Sequence, residues 1–144
     1  MRRFTILAVA VLTFLIVSTG STLAQRQWYR GNVRDVIRDL ESDTDRYKGS
    51  LDNALDRSRL NGSRTEDEIN EYVKRFEEAT DRLRDRAEDR QYAPNLAREV
   101  LNRGRSINVF MRRHRLGGQA ESDWANVRND LNRLANSYYI NWRW

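Results

Sequence analysis

A chain of 144 residues with 26 basic and 21 acidic side chains, net charge +5 and no cysteine has neither disulfides nor thiolate metal sites. One proline and 39% apolar residues describe a polar, helix-prone chain with enough length for a single core. Lys48 and Lys74 are the only lysines, an arginine bias that reflects GC-rich coding rather than a function.

The N-terminus reads as an export signal. "MRR" is a positive start, Phe4–Val17 is an uninterrupted apolar run of fourteen residues, and Thr22 and Ala24 stand where a signal peptidase reads. The run falls short of the roughly 20 residues that cross a bilayer as a helix. The expectation is therefore a signal peptide over 1–24 and a mature domain over 25–144, with an uncleaved anchor as the alternative. The mature protein would carry no transmembrane segment and would be periplasmic or extracellular.

Chain breakers then divide the domain. Asn32 is a plausible helix N-cap, "NGS" at 61–63 closes the first segment, and "TEDE" at 65–68 has the pattern of a capping box, with Thr65 capping and Glu68 reaching back. Pro94 suits a first helical turn and pushes Ala93 out of helical angles, while "GG" at 117–118 makes the last break. Helices are expected over about 32–60, 65–91, 94–116 and 119–138.

Each segment carries an apolar seam at alternating spacings of four and three. The first runs Val33, Ile37, Leu40, Thr44, Tyr47, Leu51, Ala54; the second Ile69, Val73, Phe76, Thr80, Leu83, Ala87. The third reads Ala93, Ala97, Val100, Gly104, Ile107, Met111, and the fourth Ala120, Trp124, Val127, Leu131, Leu134, Tyr138. Heptad-like spacing puts each seam on one helix face, and extra apolar neighbours such as Val36, Leu55, Leu101 and Phe110 widen it beyond a two-stranded coiled coil. Short connections make sequential helices antiparallel. The fold class is all-α, an up-down-up-down antiparallel four-helix bundle, as a monomer or as a dimer of paired hairpins. "ESDTDRYK" at 41–48 and "EEATDRLR" at 77–84 echo one another at an offset of 36 residues, either as an old duplication or as one packing problem solved twice.

The chain closes on "SYYINWRW", which raises two readings. In an up-down bundle both ends of the domain meet, so Trp28, Tyr29, Tyr138, Tyr139, Trp142 and Trp144 would gather at one end. The simpler reading is a plug folded across the open core, with Arg143 stacked on a ring. The sharper one is a ligand platform of aromatic faces flanked by arginine.

Signs of chemistry are few. His114 is the only histidine, and Met111, not Glu, stands three residues before it, so the Glu-x-x-His pattern of carboxylate-bridged metal bundles is missing. "DLESDTDRYKGS" at 39–50 resembles a calcium loop, but it has Thr44 where the turn needs Gly and Ser50 where the ion needs a bidentate Glu. No cysteine nucleophile exists and no Ser–His–acid pattern is visible. No cofactor, no metal and no enzymatic activity are expected.

Charge is more informative. Residues 64–90 hold seven bases and ten acids, whereas residues 91–118 hold six arginines against Glu99 alone. Arg103, Arg105, Arg112, Arg113 and Arg115 are the candidate contacts for an envelope polyanion, with Trp28, Trp142 and Trp144 as a second cluster. The plainer reading sets a basic third helix beside an acidic second one. Nucleic acid is not an expected partner, since no recognised motif is present. Gly104, on the third seam, implies a close helix approach beneath Trp124 or Phe76.

Positions 100–144, with "YVKRFEEATDRLRDR" upstream, resemble small uncharacterised secreted proteins of GC-rich bacteria, a resemblance that implies no activity. Exported stress chaperones of the Spy and CpxP type are similar in size, signal peptide and basic amphipathic helices, though their LTxxQ motif is lacking here. The functional expectation is a non-catalytic helical bundle of the cell envelope that binds or scaffolds through its surface, contacting a polyanion or a protein. A holdase for unfolded envelope proteins is the alternative.

Overall fold

The computed structural model describes residues 21–144, with side chains from Asn32 onward. The signal peptide expected over 1–24 lies outside the described residues as far as residue 20, and the side chain of Trp28 lies outside them too. Four helices follow in order: α1 (Ser21–Asp56), α2 (Arg64–Glu88), α3 (Pro94–His114) and α4 (Gly118–Ser137). Each helix packs on two neighbours, α1 on α2 and α4, and α3 on α2 and α4, while the diagonal pairs do not approach. This is a four-helix bundle. Its closest pairings are α1 with α4 and α2 with α3; α3 and α4 are the most loosely joined neighbours.

The seams form the core. Val33, Ile37, Leu40, Tyr47 and Leu51 of α1 meet Ile69, Val73, Phe76 and Leu83 of α2, Val100, Leu101 and Ile107 of α3, and Trp124, Val127, Leu131 and Leu134 of α4 in one cluster. Removing such a side chain from water stabilises the fold by about 1.5–3 kcal/mol each. Thr44 and Thr80, the polar members, are buried and donate their hydroxyls to the carbonyls of Leu40 (2.7 Å) and Phe76 (3.0 Å) one turn back. The two echoed segments thus solve burial of a hydroxyl in the same way.

Gly104 is a close-approach site, and its partner differs in part from the expectation. A Cβ there would stand 2.6 Å from Leu131 Cδ1 and 3.6 Å from Phe76 Cε2. Phe76 is as expected, but Leu131 takes the place assigned to Trp124, because Trp124 is drawn instead toward Asn108 and Tyr47.

The helix ends also differ. α1 runs through Asn32 without a break, so Asn32 caps nothing, and it ends at Asp56 rather than near 60. The cap of α2 is Ser63, whose side chain accepts from the Glu66 amide at 3.3 Å, while the Glu66 carboxylate accepts from the Gly62 amide. The capping residues lie two positions earlier than Thr65 and Glu68, and Glu68 instead accepts from the Tyr72 hydroxyl. Ala93 and Pro94 open α3 as expected. Three helices end on a non-glycine residue in the left-handed region: Arg90, Arg115 and Tyr139. After α2 and α4 the amides of Gln91 and Ile140 reach back to the carbonyls of Arg86 and Ala135, both at 2.8 Å, which turns the chain sharply away from the helix axis.

Candidate functional site

Two features stand out from the core: the C-terminal tail and the arginine-rich end of α3. The left-handed Tyr139 reverses the chain after α4, so the tail does not fold across the open end of the bundle. It runs back along the flank between α3 and α4. Burial alternates along it, with Ile140, Trp142 and Trp144 half-buried and Asn141 and Arg143 exposed, as an extended segment requires. Trp144 Nε1 donates to Asn132 Oδ1 at 2.9 Å, and its ring stands edge-on to Trp124 (6.3 Å) and Trp142 (5.7 Å).

From α3, the Arg105 guanidinium lies 4.2 Å from the centre of the Trp142 ring and donates to the Arg143 carbonyl at 2.9 Å. The tail therefore joins the two helices that are otherwise most loosely packed. Arg105, not Arg143, provides the cation over the ring, since the extended alternation turns Arg143 outward. A stack of this kind is worth about 0.5–1 kcal/mol at an exposed site. Trp142 Nε1 is enclosed without a partner among the described residues.

Asn108 of α3 had no signal in the sequence seam, yet it is buried and accepts from Trp124 Nε1 at 3.1 Å. The Tyr47 ring packs on Trp124 at 5.1 Å, and burial raises the Tyr47 phenol well above its usual range. At the opposite end of α4, Tyr138 stacks on Tyr92 at 5.5 Å, and burial, with Tyr92 adding to it, pushes the Tyr138 phenol up to about 12. Of the expected gathering of rings, Tyr138 stays at this end, joined by Tyr92, while Trp142 and Trp144 lie along the flank and the side chains of Trp28 and Tyr29 lie outside the described residues.

The five arginines of the expected polyanion stripe separate into two groups. Arg103 pairs with Glu99 at 3.6 Å and Arg105 holds the tail. Arg112, Arg113 and Arg115, at the C-terminal end of α3, are exposed and make no ion pair among the described residues. The acidic α2 and basic α3 are cross-linked by few charges: Arg82 to Glu99 at 2.8 Å is the pair that joins them. The α2 acids that form ion pairs do so within α2 or with α1, as Glu71 does with Arg75 and Glu77 with Lys48.

Arg57 and Arg59, which the sequence argument passed over, follow α1 and share a cleft with Arg115 and His114. A sequence signal did exist: "RSR" sits in a connection that antiparallel topology places at the same bundle end as "RRHR". His114 lies against the Phe110 ring at 4.3 Å, a bundle-end position as expected. Among the described residues no cluster of three or more His, Asp or Glu side chains is placed to hold a metal ion, and the 39–50 segment is helical. No helix among them is long and apolar enough to cross a membrane. Comparison with known families, with characterised proteins and with solved structures finds no match to the chain.

Proposed function

We propose that this chain is a non-catalytic, exported bundle of the cell envelope that attaches to a polyanionic surface through the basic end of α3. One observation carries the reading: Arg112, Arg113 and Arg115 project from one helix end with no carboxylate partner among the described residues, while Arg103 and Arg105 on the same helix are engaged. Unpaired guanidiniums on a rigid helix form fork-shaped donors suited to phosphate and carboxylate. Export is supported by the pattern of residues 1–24 alone.

The test is co-sedimentation with vesicles of phosphatidylcholine, with and without phosphatidylglycerol, across a salt series. The expected result is binding only to the anionic vesicles, weakening steeply as salt rises and lost when Arg112 and Arg113 become Ala. Binding that ignores salt would favour the holdase reading. That alternative has less support, since the large apolar side chains left exposed among the described residues, Tyr92, Val109 and Tyr139, do not form a continuous strip along one helix face.

A further inference from the structure

The surface reading leaves Arg57 and Arg59 without a role. They leave the end of α1 in a turn that is firmly built: the Ser58 amide and hydroxyl both donate to the Leu55 carbonyl at 2.9 Å, and the Ser58 oxygen accepts from the Leu60 amide at 3.0 Å. Across from this turn stand His114 and Arg115. Arg115 is held in the left-handed region with its amide donating to the Met111 carbonyl at 3.1 Å, and the His114 ring lies tilted against Phe110. Between the two arms lies a cleft of about 420 Å³, within the size range of small-molecule sites.

Three guanidiniums and one imidazole line this cleft, and no carboxylate does. The nearby acids of α4 are each held by a donor at the edge of the cleft: Glu121 accepts from the Gly117 amide at 3.3 Å and Asp123 from Gln119 at 2.7 Å. The start of α4 borders the cleft, but with Glu121 already on the amide of its cap, Gly117, the arginines carry the inference. Like charges converging on a concave surface repel one another, and a multivalent anion converts that repulsion into attraction.

We propose that this cleft seats a phosphate-bearing anion of small-molecule size, gripped by Arg57 and Arg59 from the α1–α2 connection and by His114 and Arg115 from the end and cap of α3. The inference rests on the polyanion reading of the basic end and adds to it a defined seat. The phosphate has two conceivable sources, a soluble phosphorylated molecule or a lipid headgroup.

Calorimetric titration of the purified protein with inorganic tripolyphosphate, beside the vesicle assay, tests the proposal. Tripolyphosphate is expected to bind at low salt. Arg57→Ala with Arg59→Ala, or Arg115→Ala, should weaken it about tenfold or more, and Arg112→Ala with Arg113→Ala should change it little. All these side chains are exposed, so the helical signal in circular dichroism should persist; Arg59→Glu, also fold-neutral, should abolish binding. Cleft variants that bind tripolyphosphate as the parent does, or a parent that binds none, would overturn the seat. If tripolyphosphate fails while anionic vesicles still bind through Arg112 and Arg113, the seat falls and the surface reading stands. If tripolyphosphate binds through the cleft and vesicles do not, the seat is for a soluble phosphate and the surface reading falls.

Discussion

Arg105 and Arg115 belong to one helix and its cap, yet the fold uses them differently. Arg105 faces the tail, with Trp142 beneath its guanidinium and the Arg143 carbonyl as acceptor. Arg115 stands past the end of the helix, beside two more arginines and no carboxylate. In composition they form one basic stripe. In space one is a tether between α3 and the C-terminus, and the other is a charge left for a partner. An arginine's availability depends on what the rest of the chain brings to it, and a charge count along a helix does not contain that information.

The largest effect should come from the tail side of this contrast. Replacing Trp142 and Trp144 together by Ala removes two half-buried rings that join α3 to α4, and should lower stability by about 2–3 kcal/mol in urea unfolding. The emission of Trp124 should shift to the red as Trp144 leaves its edge. Unchanged stability would mean that the tail merely rests on the flank.

Arg105→Ala should cost about 1 kcal/mol, through the lost ring stack and hydrogen bond, and leave binding to anionic vesicles unaltered. Loss of vesicle binding in this variant would erase the distinction between the two groups. Arg115→Gly sharpens it from the other side. Glycine relieves the left-handed backbone, so stability should rise by a few tenths of a kcal/mol, about 0.5 at most, while tripolyphosphate binding falls.

The smallest effect concerns pH. Asp130 is buried beside Arg133, and burial raises its carboxyl above the ordinary 3.8 despite the Arg133 hydrogen bond at 2.8 Å. The folded state therefore holds this proton more tightly than the unfolded one. Stability is lost as pH rises from the unfolded value through the raised folded one. Asp130→Asn should flatten that part of the profile, so the variant should gain on the parent as pH rises above the ordinary aspartate range. A constant difference over that rise would assign Asp130 a purely structural role. Beyond the core seams, Asp130 is also a warning about pattern reading: its neighbour Leu131 carries the seam, and the burial of the carboxylate came from the width of the α1–α4 contact.

The four seams were legible because helical periodicity is a local property. Residues three and four apart share a face whatever surrounds the helix, so Val33 to Leu51, Ile69 to Leu83, Val100 to Met111 and Ala120 to Leu134 announce their burial in one dimension. Short connections then leave few topologies for four such helices. The alternation in "INWRW" was equally local, and it does predict which side chains of the tail turn inward.

Other features depend on relations between distant parts of the chain. The tail's path depends on a left-handed Tyr139 and on a gap between α3 and α4, neither of which a periodic pattern contains. Gly104 signalled a close approach, but its partner was decided by the axial offset of α4, which sets Leu131 opposite it and frees Trp124 for Asn108. The meeting of Arg57 and Arg59 with Arg115 likewise needed two loops brought to one end at a fixed separation. Period and composition are determined residue by residue along the chain; the rotation and offset of each helix are set only when all four faces pack at once, because close-packed side chains admit few mutual arrangements.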